Sequence, residues 1–303
     1  MPAALTMTLL VLAMSAGARQ QASDEWLTSP VDDRTFKSFQ ELFTYERGLP
    51  LDVRVGGTAV QGGIKRERLS FQSTPGLRVV ADFYQPPGGG PAAGGTLVLL
   101  HGGVATGKAS AAGHARNFAR AGWNVLAIDL QHFGDRATTL LASYTEQEKH
   151  ERLYNDPTVY LAWVAQTVKD VGRSVDLLIE RKLDPRRIGL VGLSRGAMLG
   201  AIVAAVDSRL SLLVMMYGGH FDALERKHVA AACPANYIGR IAPRPVLMVN
   251  GLQDADLIKD TSVDPLYRLA KPPRHILWSD GGHMAISEEN RARMLQWLRE
   301  NLR

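Results

Sequence analysis

The chain of 303 residues has one cysteine, Cys233, which excludes an intramolecular disulfide and leaves stability to the packed core. Followed by Pro234, that cysteine reads as a buried apolar filler. Long apolar runs are missing too. The run over residues 5–14 falls short of the ~20 residues that span a bilayer, and no later segment is long and apolar enough. Blocks of like charge are absent: the net charge of +5 is spread along the chain among acids, which argues against nucleic acid as a partner. The 8 histidines form no H-E-x-x-H and no clustered ligand spacing, and there is no cysteine set for zinc. Gly107-Lys108 is followed by Ala109 where a phosphate-binding loop needs Ser or Thr, and no G-x-G-x-x-G follows a strand. Neither a metal nor a cofactor is therefore expected.

What remains is an ordinary globular composition, 46% hydrophobic and 21% charged, of a length that suits one large domain. Residues 1–18 carry no charged side chain and end in Ala16-Gly17-Ala18, which predicts a secretory signal peptide and a secreted or periplasmic product. Residues 19–63 read as an N-terminal extension with a helix over 35–45 and a turn at Gly56-Gly57. The main domain is expected over 64–303. It opens on strands at 64–72 and 77–85, joined by Ser73-Thr74-Pro75-Gly76 as a hairpin, and then a surface loop over 86–95. Beyond that loop, short apolar strands at 96–100, 124–128, 187–191, 212–216, 246–250 and 275–278 alternate with helices at 109–121, 158–181, 197–206, 260–269 and 288–302. The series predicts an α/β fold, a mostly parallel sheet with helices on both faces. Two connections exceed what a crossover requires, 136–157 and 217–242, and are expected to wall a pocket. His220, Asp222 and His228 in the second read as a solvated loop face.

The strongest chemical signal is Gly192-Leu193-Ser194-Arg195-Gly196, set between the apolar Ile188-Gly189-Leu190-Val191 and a small-residue helix. A serine on a sharp strand-to-helix turn presents its Oγ above the sheet, and flanking glycines remove side chains that would clash. The helix that starts there offers N–H groups and partial positive charge to a developing oxyanion. Three further elements close predicted strands: His101-Gly102-Gly103, the loop after Asn250 with Asp254 and Asp256, and Gly281-Gly282-His283. Serine, acid and histidine follow in the order that a nucleophile-elbow fold uses, each at the strand end where open α/β sheets bind ligands. His101 reads as a neutral imidazole hydrogen-bonded in its loop rather than as a base.

On these four elements the chain, from about Ile64 onward, resembles the α/β-hydrolases. Its style is that of dienelactone-hydrolase-like and acetyl-xylan-esterase-like enzymes and of prolyl-oligopeptidase-type catalytic domains. The D-x-x-G-x-G-x-S stretch frequent there is matched in part by Asp129 to Arg136, with His132 in place of Gly and Arg136 in place of Ser. His132 is read as stabilising that loop. The resemblance implies Ser194 as nucleophile, His283 as general base and Asp254, three residues after Gly251, as the acid that orients it. It assigns the oxyanion donors to the backbone of Arg195 and Gly103, with Val104 as the alternative to Gly103. It further implies acyl transfer through an acyl-enzyme on a small-molecule or carbohydrate-linked ester, with no cofactor and no membrane insertion. A peptidase or amidase is the alternative activity. A catalytically silent binding module is a third reading, against which an intact triad argues.

Overall fold

The computed structural model describes residues 25–88, 94–222, 224–225 and 229–302. The signal peptide expected at 1–18, the centre of the loop 86–95 and His228 lie outside the described residues. Among those described, nine strands form one sheet: β1 (Arg54–Gln61), β2 (Ile64–Gln72), β3 (Arg78–Gln85), β4 (Thr96–Leu100), β5 (Asn124–Ile128), β6 (Ile188–Leu193), β7 (Leu213–Met216), β8 (Val246–Gly251) and β9 (Arg274–Ser279). Their order is β1-β2-β3-β5-β4-β6-β7-β8-β9. The pairs β1/β2, β2/β3 and β3/β5 are antiparallel, and every pair from β5 onward is parallel.

All residues of β4 to β8 are buried, because helices cover both faces of the parallel part. Helices α5 (Pro157–Glu180), α6 (Arg195–Val206) and α7 (Asp264–Leu269) contribute to one core. Helices α3 (Ala112–Arg120) and α8 (Glu288–Asn301) close the other. Strand side chains alternate between them: Val98 and Leu100 join the first core, Leu97 and Leu99 the second. From β4 the chain goes to β5 on one side and then crosses to β6 on the other. The loops after β4 and β6 therefore part at a switch point, the place where such sheets bind ligands. No helix among the described residues is long and apolar enough to cross a membrane.

The N-terminal part differs from the sequence expectation. Gly56-Gly57 is no turn; it lies within β1, where the register shifts between Val55 and Gly57. The turn falls at Gly62 and Gly63, whose φ values of 56° and 75° suit a two-residue hairpin. β1 is exposed along its whole length, so it lacks the apolar alternation that marks a half-buried strand. Helix α1 (Glu25–Thr28) precedes α2 (Asp33–Glu41), which starts earlier than expected because Asp32 accepts from the Thr35 N–H at 2.7 Å as its cap.

Candidate active site

Ser194 stands between β6 and α6 with φ 51° and ψ −117°, a backbone conformation rarely adopted by a residue with a side chain. Its neighbours explain how the turn is held. A Cβ on Gly196 would lie 2.5 Å from the His101 carbonyl oxygen, and one on Gly192 would lie 2.5 Å from the Ala197 Cα. Both positions admit only glycine, so the helix can start hard against the end of β4. The Ser194 N–H donates to the Met216 carbonyl at 2.8 Å, which ties the turn to β7.

The three residues expected to work together meet. His283 Nε2 lies 2.9 Å from Ser194 Oγ, and His283 Nδ1 lies 2.8 Å from Asp254 Oδ2. The other Asp254 oxygen, Oδ1, accepts from the N–H groups of Asp256 at 2.9 Å and Leu257 at 3.0 Å, which fixes the plane of the carboxylate. Gly251 lets the two loops touch, since a Cβ there would lie 2.6 Å from the Gly281 carbonyl oxygen. Burial disfavours the charged Asp254, yet hydrogen bonds from His283 and the two amides hold its carboxyl below the ordinary value. For His283, burial opposes the imidazolium, but the Asp254 carboxylate, with Asp256 and Glu146 further off, raises its pKa above the ordinary 6.5. Asp254, Asp256 and His283 are also the one group of three potential metal ligands within mutual reach among the described residues. Both His283 nitrogens already face Ser194 and Asp254.

The loop after β4 runs beside the serine, with a Cβ on Gly102 reaching 3.3 Å from Ser194 Cβ. The Val104 N–H donates to the Gly102 carbonyl at 2.8 Å, so of the two alternatives only the Gly103 N–H stays uncommitted to that bond. His101 has the neutral, loop-holding place expected of it. Its Nε2 accepts from the Leu130 N–H at 3.0 Å, which puts the proton on Nδ1, 2.5 Å from the Gly102 oxygen. Burial pushes the His101 ring down to about 4. His132 stays out of the cavity; it holds its own loop through Thr138 Oγ1 at 2.8 Å and through its carbonyl, which accepts from the Tyr144 hydroxyl at 2.7 Å.

A cavity of about 470 Å³ opens over Ser194. Both long connections wall it, the first through Glu146, Lys149, His150 and Tyr154, the second through Tyr217, Asp222 and Leu224. The reading of His220 and Asp222 as a solvated face is corrected here. His220 is buried with Nε2 3.2 Å from Cys233 Sγ, and Asp222 belongs to a buried charge cluster that sequence spacing gave no means of finding. Arg195 pairs with Asp222 at 2.7 Å and with the buried Glu225, and its guanidinium lies 3.8 Å over the Tyr154 ring. His150 Nδ1 faces the Glu146 carbonyl at 2.7 Å and Nε2 faces Asp222 at 3.0 Å. Both partners accept, so although burial opposes the charge, this pairing favours the imidazolium and raises the ring's pKa above the ordinary value. Burial raises Glu225 to about 7, whereas His150 and Arg195 overcome burial and hold Asp222 at about 2. The pairing needs residues about 30 and 70 positions apart, and only the fold brings them together.

Strand order, elbow and the Ser–His–Asp geometry define an α/β-hydrolase fold. No protein-family model matches the chain, and no curated protein matches its sequence. Solved structures do. An acetyl xylan esterase from Paenibacillus sp. R4 is similar at 19% identity with a TM-score of 0.69, over 92% of this chain and 99% of that one. A cold-adapted esterase from an Arctic intertidal metagenomic library is 21% identical, TM-score 0.62, over 82% and 98%. The alpha/beta hydrolase GrgF from Penicillium sp. sh18 is 14% identical, TM-score 0.60, over 78% and 99%. At these identities the likeness establishes the fold.

Proposed function

We propose that the protein is a serine hydrolase that cleaves carboxylic esters with short acyl groups. The observation that carries this is the continuous contact Ser194 Oγ–His283 Nε2–His283 Nδ1–Asp254, of which Ser194 and His283 line the cavity. His283 Nε2 takes the Ser194 proton as Oγ attacks the ester carbonyl, and the oxyanion is held by the N–H groups of Gly103 and Arg195. Collapse expels the alcohol, which receives that proton from His283 and leaves an acyl group on Oγ. Water then attacks, giving its proton to Nε2, and collapse releases the acid while the proton returns to Ser194. The names of the esterase neighbours support ester substrates, and acetylated carbohydrate belongs among those to be tested. Export rests on the sequence of residues 1–18 alone. The short-acyl limit rests on the two connections that wall the cavity, neither of which carries the long apolar stripe of an interfacial lipase lid.

Two measurements test the reading. A fluorophosphonate probe is expected to label one residue, Ser194, and turnover of p-nitrophenyl esters is expected to fall as the acyl chain lengthens beyond a few carbons. No labelling of the intact protein, or better turnover of aminoacyl amides than of acetate esters, would overturn it. Because His283 acts as a base only when neutral, and its pKa is raised, kcat/KM is expected to fall with decreasing pH on a limb centred above 6.5. A limb centred below 6.5 would mean that the Asp254 carboxylate does not govern the imidazole.

A further inference from the structure

The two backbone donors assigned above follow different strands, yet one short stretch of the first long connection touches both. Helix α4 (Glu146–Lys149) runs directly into a π-helical turn, His150–Tyr154, a geometry that is rare and concentrates at functional sites. Lys149 Nζ donates to the Gly103 carbonyl oxygen at 2.7 Å. The Tyr154 hydroxyl, which has no hydrogen-bond partner among the described residues, fills the place of a side chain on Gly103: a Cβ there would lie 2.5 Å from it. The Tyr154 ring carries the Arg195 guanidinium, and His150 holds the Asp222 that pairs with Arg195.

Gly102 and Gly103 in succession have no backbone preference of their own, so the direction of the Gly103 N–H must be imposed by neighbours. His101 holds the Gly102 carbonyl from one side. Lys149 holds the next carbonyl from the other. The Lys149 residue is 4% exposed, and its carboxylate partner among the described residues, Glu146 at 2.5 Å, has a side chain that is 66% exposed. A pair with so exposed a partner contributes little and gives no reason to bury an ammonium. The bond to Gly103 does.

Resting on the reading of Ser194 as nucleophile and Gly103 as oxyanion donor, we propose that Lys149 is a positioning residue for the oxyanion hole. It fixes the Gly103–Val104 peptide while His101 holds the Gly102 carbonyl of the preceding one, so that Gly103 is pinned from both sides and its N–H meets the oxygen as charge develops on it. The interaction serves the transition state, so its loss is read in kcat rather than in KM.

The experiment compares the full-length protein with Lys149→Met and Lys149→Arg on p-nitrophenyl acetate, with folding followed by circular dichroism and thermal melting. Removing a whole oxyanion donor costs about 10²- to 10³-fold, so a misdirected one is expected to cost roughly 10- to 100-fold in kcat with KM within about twofold. Lys149→Arg should recover part of that loss. Inhibition by a trifluoromethyl ketone, which forms a tetrahedral adduct on serine, should weaken in parallel with kcat/KM, whereas a purely structural role would move melting and not this ratio. If Lys149→Met does not fold, Lys149→Gln, shorter and uncharged, carries the same comparison. A folded variant with undiminished kcat, or a loss confined to KM, overturns the proposal. An intact protein that neither hydrolyses esters nor takes the fluorophosphonate defeats the serine-hydrolase reading itself, and a labelled, active one with undiminished Lys149→Met defeats only this inference.

Discussion

Ser194→Ala is expected to lower ester turnover by about 10⁴-fold or more, because loss of a triad nucleophile removes the covalent route altogether. The fold should remain, and the reason lies in the backbone. The φ of 51° at Ser194 is imposed by Gly192 and Gly196, whose missing side chains let α6 close on β4 and β6. Alanine tolerates that turn as well as serine does. Among the described residues the hydroxyl's hydrogen-bond partner is His283, so no core hydrogen bond is lost with it. Circular dichroism and thermal melting of the purified variant should match the parent, while fluorophosphonate labelling disappears. Retention of more than roughly a tenth of the activity would remove Ser194 from the mechanism.

The parts of this molecule that can be read from its sequence are those set by local pattern. β4, β5, β6, β7 and β8 are apolar at nearly every position because both sheet faces are covered, and a short unbroken apolar run carries that information by itself. Ser194 and Asp254 follow two of these strands and His283 follows the less buried β9, each within three residues of a glycine, so strand ends and small residues point to them together. β1 is different: it is held by backbone pairing at the sheet edge and buries nothing, so composition carries no trace of it. The cavity wall is invisible for another reason. Lys149, His150 and Tyr154 sit in a polar connection with no periodicity, and their meaning comes from Gly103, Asp222 and Arg195, which are distant in the chain. A motif gave Arg195 a role through its N–H; that its side chain is buried between Tyr154, Asp222 and Glu225 depends on where 217–242 folds back.

Asp254→Asn is expected to lower turnover by about 10⁴-fold, and Asp256→Asn to change it only slightly. The two carboxylates lie in the same loop, but they face different partners. Asp254 gives Oδ1 to the amides of Asp256 and Leu257 and Oδ2 to His283 Nδ1 at 2.8 Å. An asparagine keeps the first of these, since its Oδ1 accepts the same two N–H groups, so the loop should hold its shape. What it offers His283 is an NH₂ in place of a carboxylate oxygen. That donor requires an unprotonated Nδ1, which moves the ring proton to Nε2, and an Nε2 that carries a proton cannot take one from Ser194. The imidazolium formed in the transition state also loses its counter-charge. Asp256 acts on His283 only through space, where its charge is one of those that raise the ring's pKa. Neutralising it should therefore leave kcat near that of the parent and move the acid limb of kcat/KM to lower pH, the direction expected when a nearby negative charge is removed. Both variants would be compared near neutral pH and across the acid limb, with folding checked by circular dichroism. A crippled Asp256→Asn beside a nearly normal Asp254→Asn would transfer the orienting role two residues along the loop.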